Sequence, residues 1–152
     1  YFNDYYFAIA RGTQVELYKD PETRSREKLK TVTSPTALAW MQFSNNGRFV
    51  VAGNGSQFTT YDIETDTMTD VNLPGTMAAP TEPLQWIDDY YMVSSADNSL
   101  RITEFDGANQ HVITSSLNGL PVTLNGNGKL MYSIGKAPSG AFVLQASQMT
   151  IN

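Results

Sequence analysis

The sequence contains no cysteine and a single histidine, His111, among its 152 residues. The absence of cysteine excludes disulfides and thiolate metal sites. One histidine is too few for a zinc site, which needs several histidine or cysteine ligands. The Gly-x-Ser-x-Gly motif of a Ser-His-Asp hydrolase is absent as well. We therefore interpret His111, on a predicted outer strand, as a surface or packing residue.

Long apolar runs are also missing. No window approaches the roughly 18 consecutive apolar residues of a membrane-spanning helix, and long helical windows rich in Ala, Leu, Glu and Lys do not occur. Apolar residues make up 41% of the chain, and Ser, Thr and Asn are plentiful. This composition favours strands and turns in one globular domain.

Positive charge is scarce. Lys and Arg number 10 against 15 Asp and Glu, which gives a net charge of −5 and argues against a nucleic-acid partner, because phosphate binding needs surplus cations. Six of the 10 cations lie between positions 11 and 30: Arg11, Lys19, Arg24, Arg26, Lys28 and Lys30. We interpret them as a solvated loop and edge strand; the alternative is contact with an anionic envelope polymer or membrane surface.

One pattern recurs along the chain: an apolar and aromatic run, a polar turn, and then an aromatic residue next to or near an aspartate. The aromatic positions are Tyr18, Tyr61 and Phe105, which lie 43 and 44 positions apart. A period of roughly 40–50 residues built from strand-type units indicates a β-propeller. We predict an all-β, propeller-like array of about four antiparallel blades in a single domain, 1–152, with blade units at about 5–34, 37–73, 83–117 and 121–152.

The second unit is the most legible. Its predicted strands are residues 37–43, 48–52, 57–63 and 68–73, and Asn46-Gly47 predicts a type I′ hairpin turn between the first two. The third unit repeats it, with Leu84-Gln85-Trp86 in the place of Leu38-Ala39-Trp40. The first unit begins at its second strand, and the fourth lacks an outer strand unless residues 148–151 supply it.

Incomplete end units predict that the array continues. Propeller blades are apolar on both faces and are stable only between neighbours, so the outer faces must be covered. The chain begins at Tyr1 without an initiator Met or signal peptide, and we expect a fragment that is the C-terminal half of a larger propeller. The expected partners are the remaining blades of a missing N-terminal part or of a second chain; a small ring of four is the alternative.

A family resemblance is carried by QFSNNGRFVVAGNGSQFTTYDIETD at residues 42–66, WIDD at 86–89, FDGANQ at 105–110 and Tyr132. On these motifs, nearly the whole chain is similar to the C-terminal region of PEGA-domain envelope proteins from ultrasmall, host-dependent bacteria of the candidate phyla. The resemblance implies a membrane anchor, a small PEGA β-sandwich and then an extracytoplasmic propeller. It implies no catalytic residues.

Acidic residues are the remaining candidates for chemistry. Asp62, Glu64, Asp66 and Asp70 surround one predicted hairpin and could offer oxygens to Ca²⁺, but a turn there breaks the strand alternation, and an EF-hand glycine is missing. We interpret them as a solvated turn. Asp88-Asp89 is predicted to form a hairpin turn, where acids are common.

The motif Asn125-Gly126-Asn127-Gly128-Lys129 resembles a phosphate loop only superficially. It lacks the Gly-x-x-x-x-Gly-Lys-Ser/Thr spacing and precedes a strand instead of a helix. We predict that it is a hairpin turn.

Aromatic residues recur at similar blade positions: Tyr5, Tyr6, Trp40, Tyr61, Trp86, Tyr90, Tyr91 and Phe105. Their recurrence favours packing between blades over a sugar-stacking platform, which would place aromatics on loops at one mouth of the ring. Tyr6 and Tyr91 fit this interpretation least well, because each neighbours another tyrosine across the pleat.

Together these patterns predict a non-enzymatic binding or scaffold module outside a bacterial cell, without a cofactor or metal. We expect turns such as residues 20–28 and 75–83 to give specificity for a protein or envelope polymer. The alternatives are a carbohydrate-active hydrolase with carboxylates at the propeller mouth and a purely structural half of a larger ring.

Overall fold

Fourteen strands pair into four antiparallel sheets, and no helix occurs, in the part of the chain that the computed structural model describes. That part comprises residues 1, 3–20, 27–77, 79–117, 120, 122–125 and 129–148. The predicted all-β array of four antiparallel blades is confirmed.

Each sheet is a meander of consecutive strands. The first sheet contains β1 (Tyr6–Arg11), β2 (Gln14–Lys19) and β3 (Glu27–Thr33). The second contains β4 (Trp40–Phe43), β5 (Phe49–Asn54), β6 (Gln57–Asp62) and β7 (Thr67–Asn72). The third contains β8 (Gln85–Trp86), β9 (Tyr91–Ala96), β10 (Ser99–Glu104) and β11 (His111–Ser115). The fourth contains β12 (Thr123–Leu124), β13 (Leu130–Lys136) and β14 (Phe142–Gln148).

The two end sheets are incomplete, as predicted. Within the described residues the first sheet has no inner strand before β1, and the fourth has no outer strand after β14. An outer strand at residues 148–151 lies outside the described residues except for Gln148, which ends β14.

The tight turns differ from the prediction. Asp97 and Asn98 both have positive φ, 48° and 58°, so the type I′ turn closes β9 onto β10. At Asn46-Gly47 only the glycine has positive φ, 76°, so the type I′ turn predicted there was wrong. Four residues separate Ser44 from Phe49, and the Ser44 hydroxyl and the Asn46 amide oxygen accept backbone N–H groups of Phe49 and Arg48 at 3.0 Å. These side-chain acceptors replace the two-residue turn.

The strand register corrects the predicted repeat between the second and third sheets. The pair Asn54–Gln57 that closes one hairpin corresponds to the pair Ala96–Ser99 in the next sheet, 42 positions later. Tyr61 is therefore equivalent to Thr103, and Phe105 is not its counterpart.

The same register corrects the alignment of the inner strands. Gln42 pairs with Val51 and Gln85 pairs with Val93, and Val51 and Val93 occupy equivalent positions. Gln42 and Gln85 are therefore the equivalent residues of the two inner strands, and Trp40 and Trp86 are not.

Apolar side chains fill the space between successive sheets. Val15, Leu17 and Val32 of the first sheet pack with Val50, Ala52 and Tyr61 of the second. On its other face the second sheet contributes Phe49, Val51 and Phe58, which pack with Trp86 and Met92 of the third. Val93, Leu100 and Ile102 then meet Val122 and Met131 of the fourth. The middle strands are thus buried on both faces, which explains their continuous apolar sequence.

The inner strands are also connected by a repeated hydrogen bond. Gln42 Nε2 donates to the carbonyl of Leu84, and Gln85 Nε2 donates to the carbonyl of Val122, both at 2.6 Å. Each glutamine therefore joins its own sheet to the next sheet.

Replacement of Phe49 by alanine should destabilise the protein by about 3–5 kcal/mol, the usual cost of removing a buried phenyl ring. Phe49 is 0% exposed, and its ring stacks on Phe105 with centroids 4.1 Å apart. Urea unfolding measures the change. Tyr5→Ala is the control: Tyr5 is 75% exposed, so its loss should change stability by about 0.5 kcal/mol or less. Similar losses for both variants would contradict the packing described here.

Candidate functional site

The turns lie at two opposite ends of the sheets. The connection end carries the Gly55-Ser56 turn, the Asp97-Asn98 turn and the segment 73–84, and the Gly55 N–H donates to the carbonyl of Pro80 at 2.7 Å. The other end, which we call the Arg48 end, carries turns 44–48, 63–66, 87–90 and 105–110. The two turns predicted to give specificity, 20–28 and 75–83, begin at opposite ends of the sheets, since β2 ends at the Arg48 end and β7 ends at the connection end. Residues 21–26 and 78 are outside the described residues.

The connection end is held together by its own contacts. The Thr76 N–H donates to Asp97 Oδ1 at 2.8 Å, and Arg101 Nη1 donates to the carbonyl of Pro74 at 3.1 Å. A cavity lies between Met77, Leu84, Val93 and Val122. The volume within it that the centre of a water molecule can occupy is about 30 Å³. That volume suits one or two waters.

Arg48 is the centre of the opposite end. Its guanidinium binds Asp62 in a bidentate manner, with Nε–Oδ1 2.9 Å and Nη2–Oδ2 2.7 Å, and Nη1 lies 2.5 Å from Glu64 Oε2. The same guanidinium lies over the rings of Phe49 and Tyr90, at 5.0 and 5.9 Å from their centroids. Arg48 therefore connects the carboxylates of the second sheet to an aromatic residue of the third.

Asp62 is a buried carboxylate with saturated hydrogen bonding. Besides Arg48, the Thr65 hydroxyl and the Glu64 N–H donate to it, both at 2.9 Å. Burial alone would raise the pKa of Asp62, but the hydrogen bonds from Arg48, Thr65 and Glu64 outweigh it and lower that pKa. The hydrogen bond with Asp62 raises the pKa of Arg48 in turn.

The solvated turn predicted for Asp62, Glu64, Asp66 and Asp70 is wrong for Asp62 and confirmed for the other three, which are exposed. Asp62 is buried. Asp66 accepts from Lys30 Nζ at 2.6 Å and from the Tyr61 hydroxyl at 2.8 Å, which lowers its pKa. Asp70 accepts from the Thr59 hydroxyl at 2.6 Å. These acids form protein contacts, and within the described residues no three His, Cys, Asp or Glu side chains are arranged to hold a metal ion.

Two tyrosines depart from the predicted packing role. Trp40, Tyr61 and Trp86 are buried in the core, as predicted for aromatics at blade positions. Tyr90 and Tyr5, however, are 44% and 75% exposed. Each stands at the turn just before a strand, where alternation no longer fixes which side chain faces inward.

Tyr6 and Tyr91, which fitted the packing interpretation least well, are the tyrosines that do pack inward. Tyr6 is half-buried and packs against the cluster between the first two sheets. Tyr91 is half-buried against the cluster between the third and fourth sheets, and its hydroxyl donates to Glu104 Oε1 at 2.9 Å.

The Arg48 end is an acidic surface with Tyr90 in its midst. In the second and third sheets the turns of this end carry one cation, Arg48, which is already paired, and they border seven acids: Asp62, Glu64, Asp66, Asp88, Asp89, Glu104 and Asp106. From the first sheet, Lys30 reaches this end and pairs with Asp66. Asp88 Oδ1 accepts the backbone N–H groups of Tyr90 and Tyr91 at 2.8 and 2.7 Å, as expected for a turn acid. The turn therefore holds Tyr90 in place. The residue that the sequence could have indicated is Arg48, which precedes the partner of Asp62, Phe49, in the β5–β6 hairpin.

Acid–base catalysis lacks its usual features at this end. A glycosidase needs one carboxyl group with a raised pKa, whereas the shifted carboxyl groups of the described residues, Asp4, Glu16, Asp62 and Asp66, all have lowered pKa values. His111 is exposed on β11, which agrees with its interpretation as a surface residue.

The lysines of the predicted basic cluster are paired with acids. Lys19 lies 2.7 Å from Asp4 and Lys28 lies 2.5 Å from Glu16, while Lys30 contacts Asp66. Arg24 and Arg26 are outside the described residues. The paired lysines agree with the interpretation of a solvated edge strand.

Comparison with solved structures finds the same β-propeller architecture in other proteins. A chain of the mitotic checkpoint complex is similar with 18% identity and a TM-score of 0.58, over 94% of this chain and 44% of that chain. The β-propeller domain of Myceliophteria thermophila Cps50 (Swd1) is similar with 10% identity and a TM-score of 0.59, over 95% of this chain and 54% of that chain.

The chain therefore spans about half the length of these propellers, and the likeness establishes the fold. No family model and no curated protein matches the sequence. Within the described residues, none of the secondary structure is a helix that could cross a bilayer.

Replacement of Asp62 by asparagine should reduce the free energy of unfolding by about 2–3 kcal/mol at neutral pH, because Arg48 loses its buried partner but keeps Glu64. The pKa of Asp62 is lowered in the folded state, so its stabilisation is present above the unfolded value near 3.8 and is lost as pH falls through the folded value. The deficit of the variant should therefore shrink as pH falls below about 4. Urea titrations across this range measure it.

Asp89→Asn is the matched control. It removes the same charge from the same end, and the described structure gives Asp89 no hydrogen-bond partner. Its effect should stay within about 0.5 kcal/mol. A deficit of Asp62→Asn that is unchanged from neutral to acidic pH would refute the buried ion pair.

Proposed function

We propose that this chain is a non-enzymatic protein-binding and scaffold module, and that the Arg48 end is its recognition surface. The observation that carries the proposal is the exposed ring of Tyr90, fixed beside Arg48 in an acidic setting. Tyr and Arg are enriched among the residues that contribute most to protein interfaces, and this pair stands on turns held by two adjacent sheets.

Rigidity supports this role. The Tyr90 ring contacts Phe49 edge to face at 5.8 Å and lies 6.3 Å from Phe105, while Asp88 accepts its backbone N–H. A side chain that is already ordered loses little conformational entropy when a partner binds. Contacts made by Tyr90 would therefore raise the affinity with little loss of conformational entropy.

Charge indicates the chemistry of the partner. Asp88, Asp89 and Asp106 surround Tyr90 along the turns of the third sheet, and Glu64 adds a carboxylate from the second. A partner segment rich in Lys or Arg complements this surface, and its association would be faster at low salt.

The cellular setting is part of the proposal. We propose that the module is extracytoplasmic and tethered to a bacterial membrane through a segment outside this sequence. What supports this is the resemblance of residues 42–66, 86–89 and 105–110 to PEGA-domain envelope proteins. The end sheets of the array are proposed to be covered by blades from outside this copy of the chain.

Hydrolysis is the weaker alternative. Asp62 and Glu64 converge at the Arg48 end, but both bind the same guanidinium. Neither carboxylate is free to act as a nucleophile or general acid. A scaffold function requires no such group.

A charge reversal tests the surface directly. Asp89→Lys should weaken binding to a Lys/Arg-rich peptide array roughly tenfold, because it places a cation beside Tyr90. Glu82→Lys makes the same charge change at the connection end and should leave binding unchanged. Calorimetry with the best-bound array peptide measures both.

Tyr90→Ala should also weaken binding of that peptide roughly tenfold or more, with Tyr5→Ala as its aromatic control. Circular dichroism of each variant checks that the sheets are intact. Equal losses from Asp89→Lys and Glu82→Lys, or binding of acidic peptides in preference to basic ones, would refute the Arg48 end as the recognition surface.

A further inference from the structure

The fourth sheet has one covered face and one uncovered face. Met131, Ser133 and Gly135 alternate along β13 and are buried on the side of the third sheet. The residues between them face the other way and continue onto β14, where Ile134 pairs with Leu144. The uncovered face therefore presents Leu130, Tyr132, Ile134, Phe142 and Leu144, with Lys136 at its edge beside Phe142. Phe142 and Leu144 are 66% and 70% exposed, and such an apolar surface is unusual on a lone soluble domain.

The first sheet has the opposite arrangement. Val15 and Leu17 of β2 are buried against the second sheet, so Glu16 and Tyr18 project from the other face. Ile9 of β1 pairs with Glu16 and shares that face. The Tyr18 ring stacks on Phe7 across the strands, with centroids 4.9 Å apart. This face combines Ile9, Phe7 and Tyr18 with the ion pair of Glu16 and Lys28.

The inner boundaries of the array indicate what covers the fourth sheet. Val51 and Val93 occupy equivalent positions, and the faces that carry them pack on the next sheet through Met92 and Met131. By register, Tyr132 holds the position of Val51 and Val93. Likewise, by register, Phe7 holds the position of Met92 and Met131. At the inner boundaries, faces equivalent to the uncovered face of the fourth sheet pack on faces equivalent to that of the first sheet. The first sheet therefore has the face that could cover the fourth.

The first sheet of the same copy does not cover it. If it did, Phe142 and Leu144 would be buried like the phenylalanine side chains between the inner sheets. The chain also superposes over 94–95% of its length on propellers of which it spans 44% and 54%. Four sheets thus follow about half of a larger ring, and two copies supply the length of a whole one.

We propose that two copies of this chain associate head to tail, with the fourth sheet of each packed on the first sheet of the other. The interface continues the sheet-on-sheet packing already present at three boundaries within the chain. Two equivalent contacts close the ring, so no apolar face remains outside. This inference rests on the fold and is independent of the function proposed for the Arg48 end.

Light scattering on the 152-residue chain tests the association. The expected mass is twice 16.8 kDa, and a mass of 16.8 kDa would overturn the proposal. Leu144→Lys introduces a charge into the fourth face and should give the single-chain mass. Val112→Lys is its control, because Val112 is 64% exposed on β11 and outside both faces; it should keep the double mass.

Mixing two variants separates head-to-tail contact from other dimers. Ile9→Lys should also give the single-chain mass, since it blocks the first face. A mixture of Ile9→Lys with Leu144→Lys leaves one intact first face and one intact fourth face, and should form a one-to-one pair. A dimer that pairs two fourth faces would ignore Ile9→Lys, and that result would overturn the proposal. Circular dichroism verifies that both variants remain folded.

Discussion

Face-to-face stacking of small sheets is the constraint on which the rest of this structure depends. Strands of the second and third sheets are buried on both sides, and Phe49, Val50 and Val51 show why: successive side chains enter different cores. A three- or four-stranded sheet that is apolar on both faces has no stability of its own in water. Charged side chains are consequently kept out of the cores between the sheets, and the buried Asp62 is paired with Arg48.

Fold and blade order could be predicted from the sequence because apolar runs and turn residues recur with the period of one blade. Which individual residues are equivalent between successive sheets could not be predicted from the sequence. Tyr61 and Phe105 suggest a repeat, but the hydrogen-bonded register makes Thr103 the counterpart of Tyr61. Aromatic residues pack well at several neighbouring positions, so their recurrence leaves an uncertainty of two residues. The role of Gln42 and Gln85 could not be predicted either, because their equivalence depends on the strand register and no recurring sequence pattern marks it.

The Arg48 end shows a second limit of sequence interpretation. A run of acids beside a turn is ordinarily solvated, and Asp62 departs from this because the hairpin brings Arg48 to it from the neighbouring strand. The pairing of Phe49 with Asp62 brings Arg48, the residue before Phe49, to that carboxylate. Arg48 and Asp62 are 14 positions apart in the sequence, but their side chains meet across two paired strands. Burial of the carboxylate then follows, since the guanidinium and two further donors replace its hydration.

The glutamines of the inner strands have an evolutionary consequence. Gln42 and Gln85 reach carbonyl groups of the following sheet, and every residue type provides a carbonyl there. A donor that recognises only main chain does not require its neighbour to conserve a matching side chain. Gene duplication could therefore insert or exchange a blade while this joint remained intact, which suits a lineage that lengthens or diversifies its rings by copying units.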